Sequence, residues 1–92
     1  MIERRSKVSI LKDVLSTISQ KGGKAKPTHI LYGANLSSDR LKKYLDMLVQ
    51  EGFIERKTED GGSVYLLTDK GREFIDGFNK MKRFFGAFGV DI

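Results

Sequence analysis

The chain has 92 residues and a formal net charge of +5, with 39% hydrophobic and 32% charged residues. This composition predicts a single globular domain over residues 1–92 and excludes a disordered chain. Cysteine is absent, which excludes a disulfide framework and a thiolate metal site. No apolar run approaches the ~18 residues that a membrane span needs, and the first residues lack the apolar core of a signal peptide, so we expect a cytoplasmic protein.

The positive charge is concentrated at the front of the chain. Residues 1–27 hold seven Lys and Arg against two acids, residues 28–68 hold five against six, and residues 69–92 hold five against four. A net excess permits nucleic-acid binding but does not prove it. Nonspecific affinity for DNA should therefore depend heavily on the basic N-terminal part, which contains Arg4, Arg5, Lys7, Lys24 and Lys26.

Apolar residues spaced three and four apart predict a first helix from Ser6 to Gln20. Its stripe consists of Val8, Leu11, Val14, Leu15 and Ile18. Ser6 is the expected N-cap, Lys21 falls in the last turn, and Gly22-Gly23 ends the helix. Lys24-Ala25-Lys26 is long enough only for a bridge or a two-residue strand.

A second, short helix is predicted from Pro27, because proline suits the first helical position. Ile30 and Leu31 form its apolar edge, and Gly33 is expected to close it. Asn35 tolerates a positive φ, so residues 33–35 can reverse the chain sharply. An isolated helix of this length has little stability in water, so it must be held against other elements.

A third helix is predicted from an N-cap at Ser37 to Gly52, with Asp39 in the first turn facing the positive end of the helix dipole. Its apolar residues form one inward stripe of Leu41, Tyr44, Leu45, Leu48 and Val49. The other side is polar and holds Ser38, Asp39, Lys42, Lys43, Asp46 and Gln50.

Enrichment in β-branched and aromatic residues predicts strands over residues 53–58 and 63–67. The turn between them is expected at residues 59–62, because Asp-Gly is a strong hairpin signal. Thr68 is the expected cap of a fourth helix over residues 69–88, in which apolar residues recur at intervals of four and three. We expect that helix to fray from Gly86, ahead of a tail at residues 89–92.

This element order predicts a mostly helical α+β protein with a winged helix-turn-helix fold, in which residues 1–68 form the core and residues 69–88 a C-terminal dimerisation helix. The sharp turn lets the second helix brace the third, whose polar face is then free to enter the major groove of duplex DNA. The candidate DNA-binding residues are Ser37, Ser38, Arg40, Lys42, Lys43, Arg56, Lys57, Lys24 and Lys26.

Acidic residues near these positions leave an alternative open. Asp39 and Asp46 share the polar face of the third helix, and Glu59 and Asp60 lie at the wing tip, where carboxylates repel phosphates. We therefore expect little DNA contact from the wing. Because residues 28–68 carry a net charge of −1, a winged-helix module that binds proteins without binding DNA is the alternative function.

The sequence offers little for catalysis. His29 is the only histidine, and no cluster of histidine and carboxylates has the spacing of metal ligands. We therefore expect no catalytic residue, no metal and no cofactor.

The fourth helix carries more apolar surface than a three-helix core can cover. Phe74 and Ile75 are expected to pack within the monomer. Beyond Phe78, the apolar residues would be exposed unless another chain covered them, namely Met81, Phe84, Phe85 and Phe88. The sequence therefore predicts a homodimer through this helix, with an interface of Phe78, Met81, Phe84, Phe85 and Phe88.

Two stretches, ILYGANLSSDRLKKYLDMLVQEGFIERK and VYLLTDKGREFIDGFNKM, resemble a known family. These are the small archaeal winged-helix DNA-binding proteins, like the ten-kilodalton chromatin-associated proteins of Sulfolobus. The resemblance runs from about Ser6 to Met81. The YGANLS run at residues 32–37 is its most specific part, whereas LT-x-KG at residues 67–71 is common among winged helices.

The resemblance implies binding to double-stranded DNA, an archaeal source, and a dimer held by antiparallel pairing of long C-terminal helices. It also implies a role as a transcription regulator or chromosome-associated protein, with residues 37–43 as the start of the recognition helix. This chain departs from the family in its last helix, which is shorter and contains Gly86 and Gly89. We therefore expect a compact dimer in place of a long coiled-coil rod.

Overall fold

The computed structural model describes residues 6–90, which form four helices and one three-stranded antiparallel sheet. The sheet has the order β1-β3-β2. The elements are α1 (Lys7–Gln20), β1 (Lys24–Ala25), α2 (Pro27–Ala34), α3 (Ser38–Gln50), β2 (Ile54–Glu59), β3 (Gly62–Leu67) and α4 (Asp69–Ala87). This order confirms the predicted winged helix-turn-helix fold.

The helices start where the sequence placed them. The Ser6 hydroxyl oxygen accepts a hydrogen bond from the Ser9 amide at 3.1 Å, and that of Ser37 accepts one from the Arg40 amide at 3.4 Å. α2 has no side-chain cap hydrogen bond and begins with Pro27, whose missing amide leaves one fewer donor without a helical partner. The N-caps predicted for α1 and α3 are therefore confirmed.

The C-terminal end of α2 differs from the prediction. The helix continues past Gly33 to Ala34, and Asn35 makes the reversal with a left-handed φ of 54°. Gly33 instead lies where α2 crosses α1, and a Cβ atom there would overlap the side chain of Thr17. Local sequence could not show this role, because it depends on contact with a different helix.

One apolar core joins the four helices to the sheet. α2 contributes Ile30, which is fully buried and stabilises the short helix by about 2 kcal/mol. On α1 the inward stripe begins at Ile10, which is 2% exposed, whereas the predicted Val8 is 45% exposed. The predicted stripe of α3 is confirmed, with its three leucines in the core and its remaining members packed against it: Leu41, Leu45, Leu48, Tyr44 and Val49.

The wing is a hairpin with a two-residue turn. Glu59 pairs with Gly62, and the intervening Asp60 and Gly61 have φ values of 52° and 78°. Two consecutive left-handed residues make a turn whose twist matches that of the flanking strands. The turn is therefore shorter than the predicted four residues, because Glu59 and Gly62 belong to the strands.

The LT-x-KG run ties the end of α3 and the start of β2 to α4. The Thr68 hydroxyl lies 2.7 Å from the carbonyl oxygen of Gly52 and 2.9 Å from that of Phe53. The same hydroxyl accepts a hydrogen bond from the Gly71 amide at 3.1 Å, so it caps α4 as predicted. Gly71 is buried against the Phe53 carbonyl and leaves no space for a Cβ atom.

The lysine of that run has a structural role. Lys70 Nζ donates to the carbonyl oxygen of Glu51 at 2.6 Å and lies 4.7 Å from the centroid of the Phe53 ring. A cation at this position satisfies a carbonyl that the end of α3 leaves without a helical partner and interacts favourably with the helix dipole. Lys70 therefore stabilises the exit from α3.

The sequence predicted fraying from Gly86, whereas in the structure α4 continues through Gly86 to Ala87. Gly86 lies inside the helix, and Gly89 adopts a left-handed φ of 76° after it. The amides of Gly89 and Val90 donate to the carbonyls of Gly86 and Phe85 at 3.0 and 2.9 Å. This pattern is a glycine-based C-cap, in which Gly89 ends the helix cleanly.

Two glycines of α4 provide a matched test of the tie between α3 and α4. Gly71→Ala should lower the free energy of unfolding by about 2 kcal/mol, because the added methyl group overlaps the Phe53 carbonyl. Gly77→Ala should raise it by about 0.5–1 kcal/mol, because Gly77 is helical and has open space around it. Urea denaturation at one protein concentration measures both; equal effects of the two substitutions would contradict the close contact at Gly71.

Candidate nucleic-acid interface

The face of α3 that points away from the core is open. The five residues predicted to bind DNA from the start of α3 and from the helix itself are all exposed: Ser37, Ser38, Arg40, Lys42 and Lys43. Asp39 and Asp46 are exposed on the same helix. No described part of the chain covers this face.

A cleft of about 550 Å³ lies beside this face, between α2, α3 and the sheet. Lys42 from α3 and Arg56 from β2 both line it, and among the described residues Asp46 is the only acid in its lining. The structure thus brings together two basic residues that were predicted to bind DNA and that are 14 positions apart in the sequence.

The two basic residues of the wing, Arg56 and Lys57, point to opposite faces of the sheet. Arg56 lies opposite Tyr65, and its Nε donates to the Ser63 hydroxyl at 3.3 Å, whereas Lys57 lies opposite Val64. Successive residues of a strand point to opposite faces of the sheet. Arg56 therefore faces the cleft and Lys57 faces away from it, and both lie in mid-strand instead of near the tip.

A salt bridge joins the wing to β1. Lys24 Nζ lies 2.9 and 3.1 Å from the two carboxylate oxygens of Glu59. The hydrogen bond and the charge of Lys24 lower the pKa of the Glu59 carboxyl, with smaller contributions from Lys57 and Lys26. Lys24 is therefore engaged within the chain, and its charge offsets that of Glu59, one of the two acids expected to repel DNA at the wing.

The remaining basic candidates of the N-terminal half lie apart from the cleft. Lys26 is exposed just before α2, and with Lys21 and His29 it borders a shallow cavity of about 250 Å³ next to the salt bridge. Lys7 is exposed at the first position of α1. Arg4 and Arg5 lie outside the described residues.

The predicted dimer residues separate into buried and exposed members. Phe78 is only 8% exposed, and Lys12 Nζ lies 5.6 Å from the centroid of its ring, so it packs within its own chain and is not available as predicted. Met81, Phe84 and Phe88 are 41%, 61% and 72% exposed. Phe84 contacts both Phe88 and the half-buried Phe85, with ring centroids 5.2 and 5.6 Å away.

One exposed aromatic residue was not assigned a function from the sequence. Tyr32 on α2 is 77% exposed and lines both the cleft and a neighbouring cavity bordered by Lys21 and His29. The sequence feature that pointed to Tyr32 is its position in the YGANLS run, whose other residues have roles inside the fold.

Within residues 6–90, no group of three or more His, Asp or Glu side chains could hold a metal ion. His29 is exposed on α2. None of the helices in this part of the chain is long and apolar enough to cross a membrane.

These features are those of a winged helix-turn-helix protein. Residues 4–85 match the model of the winged helix-turn-helix family, and the chain belongs to that family. It is 33% identical over 78 residues to the uncharacterised protein MJ0287 of Methanocaldococcus jannaschii, covering 85% of this chain and 74% of the relative. It is 32% identical over 80 residues to MJ0290 of the same organism, covering 87% of this chain but only 35% of that longer relative.

Among solved structures, the chain is similar to Sso10a-2, a DNA-binding protein from Sulfolobus solfataricus. The TM-score is 0.77 and the sequence identity 30%, over 92% of this chain and 90% of that protein. The resemblance to small archaeal winged-helix proteins, first indicated by the YGANLS run, is therefore confirmed.

The salt bridge between Lys24 and Glu59 makes a pH-dependent prediction. Lys24→Met should return the pKa of Glu59 upward towards its ordinary value, whereas Lys57→Met should move it less, because Lys57 is a minor cause of the shift. The lowered pKa stabilises the fold at pH values above the ordinary Glu pKa, and this stabilisation is lost as the pH falls through the lowered value. NMR titration of the Glu59 carboxyl measures these shifts, and equal shifts in the two variants would contradict the assignment.

Proposed function

We propose that the protein binds double-stranded DNA with α3 in the major groove and acts as a transcription regulator or chromosome-associated protein. The observation that carries this proposal is the open polar face of α3, with Lys42 and Arg56 meeting in the cleft beside it. Sso10a-2, which shares the fold at 30% identity, is a DNA-binding protein, and this supports the same role here.

The size of α3 suits this use. Its 13 residues give a helix of about 20 Å, and the major groove of B-DNA, about 12 Å wide, admits an α-helix. Ser37 and Ser38 at its N-terminus are positioned for a backbone phosphate, because amides there lack helical partners and the dipole favours an anion. Lys42 and Lys43 then reach phosphates or guanine edges along the groove.

The other proposed contacts flank the helix. Arg40 lies on the first turn of α3, and Arg56 approaches the backbone from the sheet. Lys26 contributes general attraction from the start of α2. Lys24 and Lys57 contribute less than the sequence suggested, because Lys24 is paired with Glu59 and Lys57 points away from the cleft.

The acidic residues on α3 shape the proposed affinity. Asp39 and Asp46 repel phosphates and reduce the attraction between this face and any duplex. A carboxylate can also accept a hydrogen bond from the amino group of cytosine. We infer that these two residues weaken nonspecific binding more than binding to a matched sequence.

We also propose a homodimer through the end of α4. Met81, Phe84 and Phe88 form an exposed apolar surface there, which water solvates poorly and a second copy would bury. Because α4 ends at Ala87, the paired surface is short and the dimer compact. A symmetric dimer presents two α3 helices to one duplex.

DNA binding is tested by removing two positive charges from α3 and, as a control, two from α4. The apparent affinity of the wild type for a random duplex should fall steeply between 50 and 200 mM salt. Lys42→Ala with Lys43→Ala should weaken binding about tenfold and reduce the salt slope by about 2. Lys80→Ala with Lys82→Ala removes the same charge from exposed positions of α4 and should change the affinity less than about threefold.

Electrophoretic mobility-shift titrations at several salt concentrations measure both variants. A wild type that gives no shift even at low salt would favour the alternative, a module that binds proteins. Equal losses in the two double variants would show that binding is general charge attraction and that α3 is not the contact surface.

The dimer is tested by removing aromatic surface. Phe84→Ser with Phe88→Ser should reduce the mass measured by light scattering from twice 10.4 kDa to that of one chain, because the apolar surface that drives pairing is lost. Tyr32→Ser is the control, since it removes a similarly exposed aromatic ring from α2 and should leave the mass unchanged. A monomeric wild type would overturn the proposal.

A further inference from the structure

The YGANLS run is accounted for by the fold except at its first residue. Gly33 permits close approach to α1, and Asn35 reverses the chain. Ala34 and Leu36 are 1% and 6% exposed in the core, and Ser37 caps α3. Tyr32 has no such role, since 77% of its surface is exposed.

The surroundings of Tyr32 are basic on both sides. It lines the cleft that also contains Lys42 and Arg56, and it lines the neighbouring cavity that contains Lys21 and His29. Tyr32 therefore lies on the boundary between the face of α3 and the basic end of α1. Within the part of the chain that the structure describes, only Asp46 adds a negative charge to the lining of these two cavities.

Tyr32 is also chemically available. Among residues 6–90 its side chain has no hydrogen-bond, ion-pair or ring partner, so its phenolic hydroxyl can donate to an incoming group. A single exposed aromatic residue is common on protein surfaces and needs no explanation by itself. What sets Tyr32 apart is its position between cations that would draw a polyanion towards it.

We propose that Tyr32 is a further DNA-contact residue, whose hydroxyl donates a hydrogen bond to a phosphate oxygen of the strand bordering the groove that α3 enters. Tyrosine is among the side chains that make such phosphate contacts. The contact extends the interface from α3 onto the exposed edge of α2. This inference rests on the proposed DNA binding and names one more residue of the same interface.

The contact has a signature that separates it from a charge effect. A neutral phenol displaces no counterion from DNA, whereas a lysine does, so loss of the hydroxyl lowers the affinity without changing the salt slope. Loss of one such hydrogen bond corresponds to about a three- to tenfold weaker affinity.

The decisive variant is Tyr32→Phe, which removes only the hydroxyl. We expect random-duplex affinity to fall about three- to tenfold, with the salt slope equal to that of the wild type. Tyr44→Phe is the matched control, because Tyr44 packs against the core from α3. The affinity of this variant for the duplex should stay within about twofold of that of the wild type.

A second measurement observes the residue directly. The protein has three tyrosines, so 3-fluorotyrosine labelling gives three fluorine signals that single Tyr→Phe variants assign. Addition of duplex should shift the Tyr32 signal more than that of Tyr44, which is partly buried against the core.

The possible failures are distinguishable. A wild type that never binds duplex overturns the proposed function and this contact with it. Salt-dependent wild-type binding that Tyr32→Phe leaves unchanged overturns the contact alone. A lower mass for Tyr32→Phe by light scattering would place Tyr32 between two copies of the chain and would also overturn the contact.

Discussion

The position of α3 depends on how closely α2 can approach α1. Gly33 lies against Thr17 with no space for a side chain, and Asn35 then turns the chain immediately into α3. A short helix is unstable alone, so this packing and the burial of Ile30 hold it in place. The opposite end of α3 is tied by Lys70, which bonds to the last turn from α4. With both ends held, α3 presents its polar side outward.

Electrostatics then decide what that outward surface can bind. The open face of α3 carries both signs of charge, and its proposed attraction for an anion comes from Arg40, Lys42 and Lys43 together with Arg56 from the sheet. The repulsion that Glu59 would exert on a phosphate is reduced, because its carboxylate is paired with the ammonium group of Lys24. The proposed interface is thus built from cations of several elements, whereas no single segment of the chain is strongly basic there. Tyr32 lies where these elements meet, and the proposed phosphate contact would add a neutral hydrogen-bond donor at that point.

The two halves of α4 differ in what they contact. Its first half completes the fold, because Gly71 fits against Phe53 and Phe78 packs within the chain. Its second half extends past the core, with Phe84 and Phe88 exposed ahead of a cap formed by Gly89. The change occurs within about one turn after Phe78, where the three-helix body ends. The proposed dimer therefore uses only the surface that the monomer leaves uncovered.

The sequence by itself determined the element order, the N-caps and the inward stripe of α3, because each depends on neighbours within a few positions along the chain. Its turn chemistry also determined the hairpin. Only the tertiary structure decided that Gly33 packs against Thr17, that Lys24 is paired with Glu59 and that Phe78 is buried. These features join residues far apart in the chain; Lys24 and Glu59 are 35 positions apart. Local periodicity carries no information about such contacts, since they arise only when separate elements pack together.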